Sequence, residues 1–205
     1  MNAPAPAFYS EEDEKQIALA LQETKPWNAD CVRELKKRIY TYHRGQQQSL
    51  CCYCQRDQYG EFKLVIDTEH VLPKEKYRPH MFDLWNLSVS CKRCNMRIKG
   101  QRTDFLVDAR FNTIEKQDPA GYRFIHPNLD TDRCHLTRQA VQAGASRLVK
   151  YVVTPGSSKG QYTYEYFRLN ELEIDSFDTA QSPSGSVRAS PTLDEFRALV
   201  NQLRR

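Results

Sequence analysis

The apolar positions of this 205-residue chain change period along its length, and the changes mark out its elements. Ser10 stands before Glu11, Glu12 and Asp13, an N-cap residue followed by acids where the helix dipole favours them. Ile17, Leu19, Ala20 and Leu21 then supply the apolar positions of a helix expected to end near Thr24, because Lys25-Pro26 disfavours its continuation. A second helix is expected from about residue 30 to residue 47, with Val32, Leu35, Ile39, Tyr42 and His43 along one side. From Leu50 the elements shorten. Residues 51–54 form a tight knuckle, 62–67 (FKLVID) read as a strand, and 73–83, with two prolines and many charges, read as a loop. A second strand is expected over 87–90 and a helix over 94–99, closed by Gly100.

Beyond this unit, 118–121 read as a turn and 122–125 as a strand. Residues 137–153 read as a helix running into a strand, 155–160 as a turn, and 161–169 as a Tyr-rich strand. The stretch 179–190 is linker-like in composition. Thr192 and Glu195 then make a capping box before Phe196, Leu199, Val200 and Leu203, so a last amphipathic helix is expected.

Composition narrows the class. With 40% hydrophobic and 27% charged residues the chain reads as globular rather than disordered, and no apolar run is long enough to span a membrane. The N-terminal stretch lacks a basic region followed by an apolar one, so the expected location is the cytoplasm. The window from Val71 to Arg102 holds eight Lys or Arg residues against Glu75 and Asp83, about +6 in a chain whose net charge is +4. A local cationic patch suits a phosphate backbone; the plainer reading is a solvated basic surface.

Seven cysteines, four of them in two CxxC pairs, read as metal binding in a reducing compartment rather than as a disulfide scaffold. A two-residue gap lets both sulfurs of a knuckle reach one tetrahedral zinc ion, so Cys51, Cys54, Cys91 and Cys94 are expected to hold a single Zn²⁺. Four thiolates leave no open position, which makes that site structural and puts any chemistry elsewhere. Cys31, Cys52 and Cys134 remain as small packing residues, with Cys52 a possible competitor inside the first knuckle.

The stretch between the knuckles reads I-D-T-E-H-V-L-P-K from Ile66, then W-N-L from Trp85, then C-K-R-C-N from Cys91. It resembles the HNH endonuclease family over roughly residues 51–100, about a quarter of the chain. The resemblance implies an α+β fold with a zinc-braced ββα-metal core, N-terminal helices and a mixed C-terminal extension. It implies His70 as the general base, with Glu69 and Asn95 as ligands of a catalytic Mg²⁺ or Mn²⁺. Glu69 stands where many members carry Asp, and Asn86 matches the asparagine that orients the loop. Hard oxygen donors favour Mg²⁺ or Mn²⁺ over a second zinc. Asp67, two residues before Glu69 and on the same strand face, is an additional candidate ligand or a plain strand-end carboxylate. Lys74, Arg97, Lys99 and Arg102 are candidates for gripping phosphates, or else solvated charges. His43, His80, His126 and His135 read as ordinary surface or packing histidines, and Trp85 as an anchor under the loop.

More narrowly, E-H-x-x-P-K with W-N-L, C-x-x-C-N and the later F-I-H-P-N-L-D is similar to HNH proteins encoded beside an ATPase in bacterial anti-phage systems. That implies an ATPase subunit as partner, DNA as substrate, and docking surfaces outside the core. The expected organisation is a helical lead-in over 1–49, the nuclease core over 50–102, an α/β extension over 103–178, and a linker with its helix over 179–205. A non-catalytic zinc module binding nucleic acid or protein is the alternative, as is an HNH nuclease acting on RNA. A pure binding module has no need of Glu69-His70, Asn86 and Asn95 at these stations.

Overall fold

Ser10 begins the first helix as expected, and the cap is reciprocal. Its Oγ accepts from the Asp13 backbone N–H at 3.2 Å, and the Asp13 carboxylate accepts from the Ser10 N–H at 2.8 Å. Helix α1 (Glu11–Ala20) follows, and its trailing Leu21 carbonyl accepts from the Arg78 guanidinium at 2.7 Å. A 3₁₀ turn at Asp30–Val32 leads into helix α2 (Arg33–Gln46). Leu35, Ile39 and His43, four residues apart, form the buried stripe of α2, whereas Tyr42 is exposed. The computed structural model describes residues 8–62, 64–107, 115–130, 135–143 and 146–175. Cys134, the linker and the capped C-terminal helix expected over 192–203 lie outside the described residues.

Strand β1 (Ile66–His70) pairs antiparallel with β2 (Leu87–Cys91), with Ile66 opposite Cys91 and His70 opposite Leu87. The first strand therefore starts four residues later than the apolar run 62–67 suggests. Phe62 and Leu64 are exposed; pairing with the fully buried β2, rather than local hydrophobicity, sets the strand. The outer edge of β2 is satisfied without a third strand. The Gln47 carboxamide accepts from the Val89 N–H at 2.8 Å and donates to its carbonyl at 2.7 Å, and that carbonyl also accepts from Cys52 N–H. Val32, Leu35 and Ile39 pack with Met81, Phe82 and Leu87 in one apolar cluster, which seats α2 against the hairpin.

After β2 the expected α-helix is instead a π-helix, Arg93–Lys99, which turns Cys94, Ile98 and Lys99 inward together. Gly100 ends it at φ 50, a backbone conformation that favours glycine, with its N–H on the Asn95 carbonyl at 2.6 Å. Residues 122–125 form no strand: Leu106 and Tyr122 make an isolated bridge, after a 3₁₀ turn at Pro119–Gly121 capped by Asp118. Phe105, Tyr122 and Phe124 are buried and ring-packed on one another.

Two compact units result, Met1–Thr131 and Asp132–Arg205. In the second, residues 137–153, expected as a helix running into a strand, form a hairpin of β3 (Leu136–Ala143) and β4 (Ser146–Val153), with the short β5 (Ile174–Asp175) on the far side of β4. The Val and Tyr residues of β4 suit a strand, as expected for the later part of that stretch. Conversely, the Tyr-rich stretch forms helix α3 (Ser158–Tyr166), because Ser157 caps it and Tyr162 and Tyr166 stack one turn apart. A Cβ at Gly160 would lie 2.2 Å from the His135 carbonyl oxygen, so only glycine fits there. The described parts form a mixed helix-and-sheet, α+β structure, in which no helix is long and apolar enough to cross a membrane.

His43 is 3% exposed with no hydrogen-bond partner at Nε2, and burial lowers its pKa to about 4. The unfolded imidazole protonates near its ordinary 6.5, so stability from this group is complete above that pH and drains away as pH falls towards 4. The melting temperature is expected to fall steeply between pH 6.5 and 4, and His43→Leu should flatten that fall. Identical pH profiles for both proteins would count against this account.

Candidate functional site

The sulfurs of Cys51, Cys54, Cys91 and Cys94 all lie within 4.8 Å of one another, and all four residues are buried. Cys54 Sγ and Cys91 Sγ are 3.8 Å apart. Four thiolates at about 2.3 Å around a tetrahedral zinc stand about 3.8 Å from each other, so the set fits a metal such as zinc. Cys51 Sγ also accepts from the Cys91 backbone N–H at 3.3 Å, as a knuckle thiolate does. Cys52 falls outside the set, and Cys31 is exposed. The cluster joins three pieces of chain: the loop after α2, the end of β2 and the start of the π-helix.

Tyr53, between two of the knuckle cysteines, reaches away from the cluster. Its hydroxyl donates to Glu69 Oε1 at 3.0 Å, and its ring meets Phe124 edge-on. Lys99 Nζ lies 2.8 Å from the same oxygen, 2.8 Å from the His70 carbonyl and 5.7 Å from the centre of the Phe105 ring. Glu69 and Lys99 are each 1% exposed. Burial pushes the Glu69 carboxyl above its ordinary value, and Lys99 and Tyr53 pull it back. Lys99 is thus an internal cation, where the sequence suggested a phosphate grip. A lysine after a CxxC knuckle reads as surface from sequence; only the buried carboxylate opposite it explains the burial.

His70 is 8% exposed and points the other way, with its ring edge-on to Trp27 at 4.4 Å between centroids. Its Nε2 stands 3.1 Å from the Met81 carbonyl oxygen. A carbonyl can only accept, so Nε2 carries the proton and Nδ1 keeps the lone pair. Burial, together with the Lys74 ammonium, lowers the imidazole pKa to about 3 against the opposing Met81 bond. His70 is therefore neutral at physiological pH, with Nδ1 able to accept a proton.

Asn86 is wholly buried. Its Oδ1 accepts from the Leu72 N–H at 2.7 Å, its Nδ2 donates to the His80 carbonyl at 2.8 Å, and its backbone carbonyl accepts from Val71 at 2.9 Å. These bonds fix the chain on both sides of the loop that supplies the Met81 carbonyl. Asn95, on the π-helix, donates from Nδ2 to the Thr68 carbonyl at 3.3 Å, beside Glu69 in sequence. Asp67 is exposed and accepts from Thr68 N–H, so it does not share the buried setting of Glu69. The four cysteines are the one metal-binding group of three or more His, Cys, Asp or Glu ligands among the described residues.

Of the basic candidates, Lys74 is half-buried near His70, and Arg97 and Arg102 are exposed, Arg102 paired with Asp104. His80 is paired with Asp83, and the Trp85 indole donates to the same carboxylate at 3.1 Å. His126 is buried and accepts at Nδ1 from two backbone N–H groups, and His135 bonds Ser157. Sequence reasoning missed Tyr53, Trp27 and the cations of α2. Tyr53 was legible as the one aromatic inside a knuckle; Trp27 carried no signal.

No protein-family model matches the chain. The chain is similar to the Septu protein PtuB of Bacillus thuringiensis, 28% identical over 123 residues, which are 60% of this chain. The match spans 36% of that protein, about a third of its length.

Two outcomes test the site. Purified protein should carry one zinc per chain by elemental analysis, and Cys91→Ser or a chelator should lower both the zinc content and the melting temperature. Lys99→Met should destabilise by about 3–5 kcal/mol by leaving Glu69 buried and unpaired, and adding Glu69→Gln should recover much of the loss. A double variant no more stable than the single would argue against the pairing.

Proposed function

We propose that the chain is an HNH-type, metal-dependent nuclease that hydrolyses DNA phosphodiester bonds. The observation that carries this reading is the setting of His70: its Nε2–H is committed to the Met81 carbonyl, which leaves the lone pair on Nδ1, and it directly follows an acidic residue in a four-cysteine frame. A two-stranded antiparallel hairpin followed by a short helical segment supports this reading, since the family resemblance implies a ββα core.

In this reading His70 Nδ1 takes a proton from water as the water oxygen attacks phosphorus. The bond from phosphorus to the 3′ oxygen breaks, and that oxygen takes a proton from solvent, leaving 5′-phosphate and 3′-hydroxyl ends. Glu69 and Asn95 would hold a Mg²⁺ or Mn²⁺ ion, which when bound offsets charge on the phosphoryl and departing oxygens. The donors suit a hard cation, although Glu69 Oε1 is already engaged by Lys99 and Tyr53. Two protein ligands agree with the habit of Mg²⁺ of keeping several waters and binding substrate phosphate. Asn86 orients the loop, Lys99 positions Glu69 and the His70 carbonyl, and Lys74, Arg97 and Arg102 would supply cations to the phosphates. The similarity to Septu protein PtuB supports a role in bacterial anti-phage defence, with an ATPase subunit as partner.

The engagement of Glu69 by Lys99 favours a second reading, in which the pair is structural and the chain is a non-catalytic zinc module. Plasmid cleavage separates the two. With Mg²⁺ or Mn²⁺, and the ATPase partner present, supercoiled DNA should be cut, and His70→Ala should slow cutting by about 10²–10⁴-fold. Equal cutting by both proteins, or none with any divalent ion, would sink the nuclease assignment. Cutting of RNA alone would move the substrate and keep the chemistry.

A further inference from the structure

Beside β1 lies an open cleft of about 290 Å³, walled by Trp27, Arg33, Lys36, Lys37 and Tyr40 and floored by residues 66–68. The floor leads straight into Glu69 and His70. Trp27 belongs to both places, lining the cleft and meeting His70 edge-on. The wall comes from α2, far in sequence from the basic window 71–102, and the apolar packing of Val32, Leu35 and Ile39 sets it there.

The charges in the cleft are one-sided. Three cations line it against one carboxylate, Asp67. Arg33 and Lys37 have partners, Asp30 and Glu34, but both pairs sit in the open three residues apart, where such contacts contribute little and exchange readily. Lys36 is half-buried, its Nζ on the Trp27 carbonyl at 2.6 Å and 5.5 Å from the centre of the Trp27 ring. Burial lowers its pKa, with Lys74 and Arg33 adding like-charge pressure and Asp30 opposing it. Lys74, in the loop after His70, does not line the cleft but stands near enough to act on Lys36.

We infer that this α2–β1 cleft binds backbone phosphates of the nucleic acid, holding the strand next to the bond presented to His70. The inference rests on the proposed nuclease reading. A phosphodiester chain matches the cleft because it carries evenly spaced single charges and no need for a deep pocket. An anion at Lys36 relieves the crowding by Lys74 and Arg33. An acidic protein surface is the competing occupant, and the experiment treats it as an outcome.

Binding is read apart from cleavage by working in the full-length His70→Ala background. Fluorescence anisotropy with a labelled 30-base-pair DNA duplex, and in parallel an RNA duplex and single strands, gives affinity against salt. Lys36→Ala with Lys37→Ala should weaken binding about tenfold or more near 0.1 M salt and reduce the slope of log K against log salt by about 2. Lys36→Arg with Lys37→Arg should restore both, and Lys15→Ala on exposed α1 should change the affinity far less. Dependence on α2 with DNA or with RNA supports the cleft and identifies its ligand. Unchanged affinity and slope in the correctly folded double variant, an equal loss with Lys15→Ala, or no nucleic acid bound at all would each overturn it, the last pointing to the acidic protein surface. A chain that binds through α2 but never cuts defeats only the nuclease reading; a chain that cuts, indifferent to α2, defeats only this one.

Discussion

Glu69 is a carboxylate with 1% of its surface in contact with solvent, and much of the first unit is arranged around making that tolerable. An unpaired carboxylate in the interior costs several kcal/mol, so a cation and further donors must be brought to it. Lys99 comes from the end of the π-helix, whose start is held through Cys94; Tyr53 comes from inside the first knuckle. Each knuckle therefore sends one side chain to the same oxygen. The cysteine cluster fixes where those two side chains begin, and the carboxylate fixes where they end. Losing either would unmoor the other, so the cysteine cluster and the buried carboxylate depend on one another.

On the opposite side of the strand the constraint is of another kind. His70 is shielded by Trp27 and tied to the Met81 carbonyl, and that carbonyl is placed by a loop which Asn86 holds at Leu72 and His80. Three segments that share no local signal thus agree on one tautomer. Consecutive residues of a strand face opposite ways, so Glu69 can be locked inside while the next residue turns its ring towards the α2 side. That alternation separates the buried ion pair on one face of the strand from the shielded imidazole on the other.

The parts legible in the sequence are those where spacing itself encodes geometry. Two CxxC pairs announce a four-thiolate cluster whatever surrounds them, and Ser10 with Asp13 announces a helix start. Asn86 and Glu69-His70 could be picked out because they stand in fixed order between the knuckles. The strand itself could not: the apolar run at 62–67 points to the wrong residues, since β1 is defined by its pairing with β2 and not by its own hydrophobicity. Lys99 was misplaced for the opposite reason. Lysine is almost always solvated, and nothing local says that a carboxylate as distant in sequence as Glu69 will draw it inside. In the second unit, the helix expected at the start of 137–153 is a strand and the strand expected over 161–169 is largely a helix, where β-branched residues and a serine cap outweighed apparent periodicity.

The cations of α2 illustrate the same limit in electrostatics. Counted along the chain, positive charge concentrates between Val71 and Arg102, and α2 reads as the solvated face of an amphipathic helix. In space, Lys36 and Lys74 stand near enough to act on one another, and Lys74 acts on His70 as well. One field then has two effects. It opposes a proton on the imidazole, which makes Nδ1 a weaker base, and under the proposed reading it favours an anion in the cleft alongside. Lys99 adds to the field at His70 even while it is paired with Glu69, so cations on both sides of the strand bear on the imidazole.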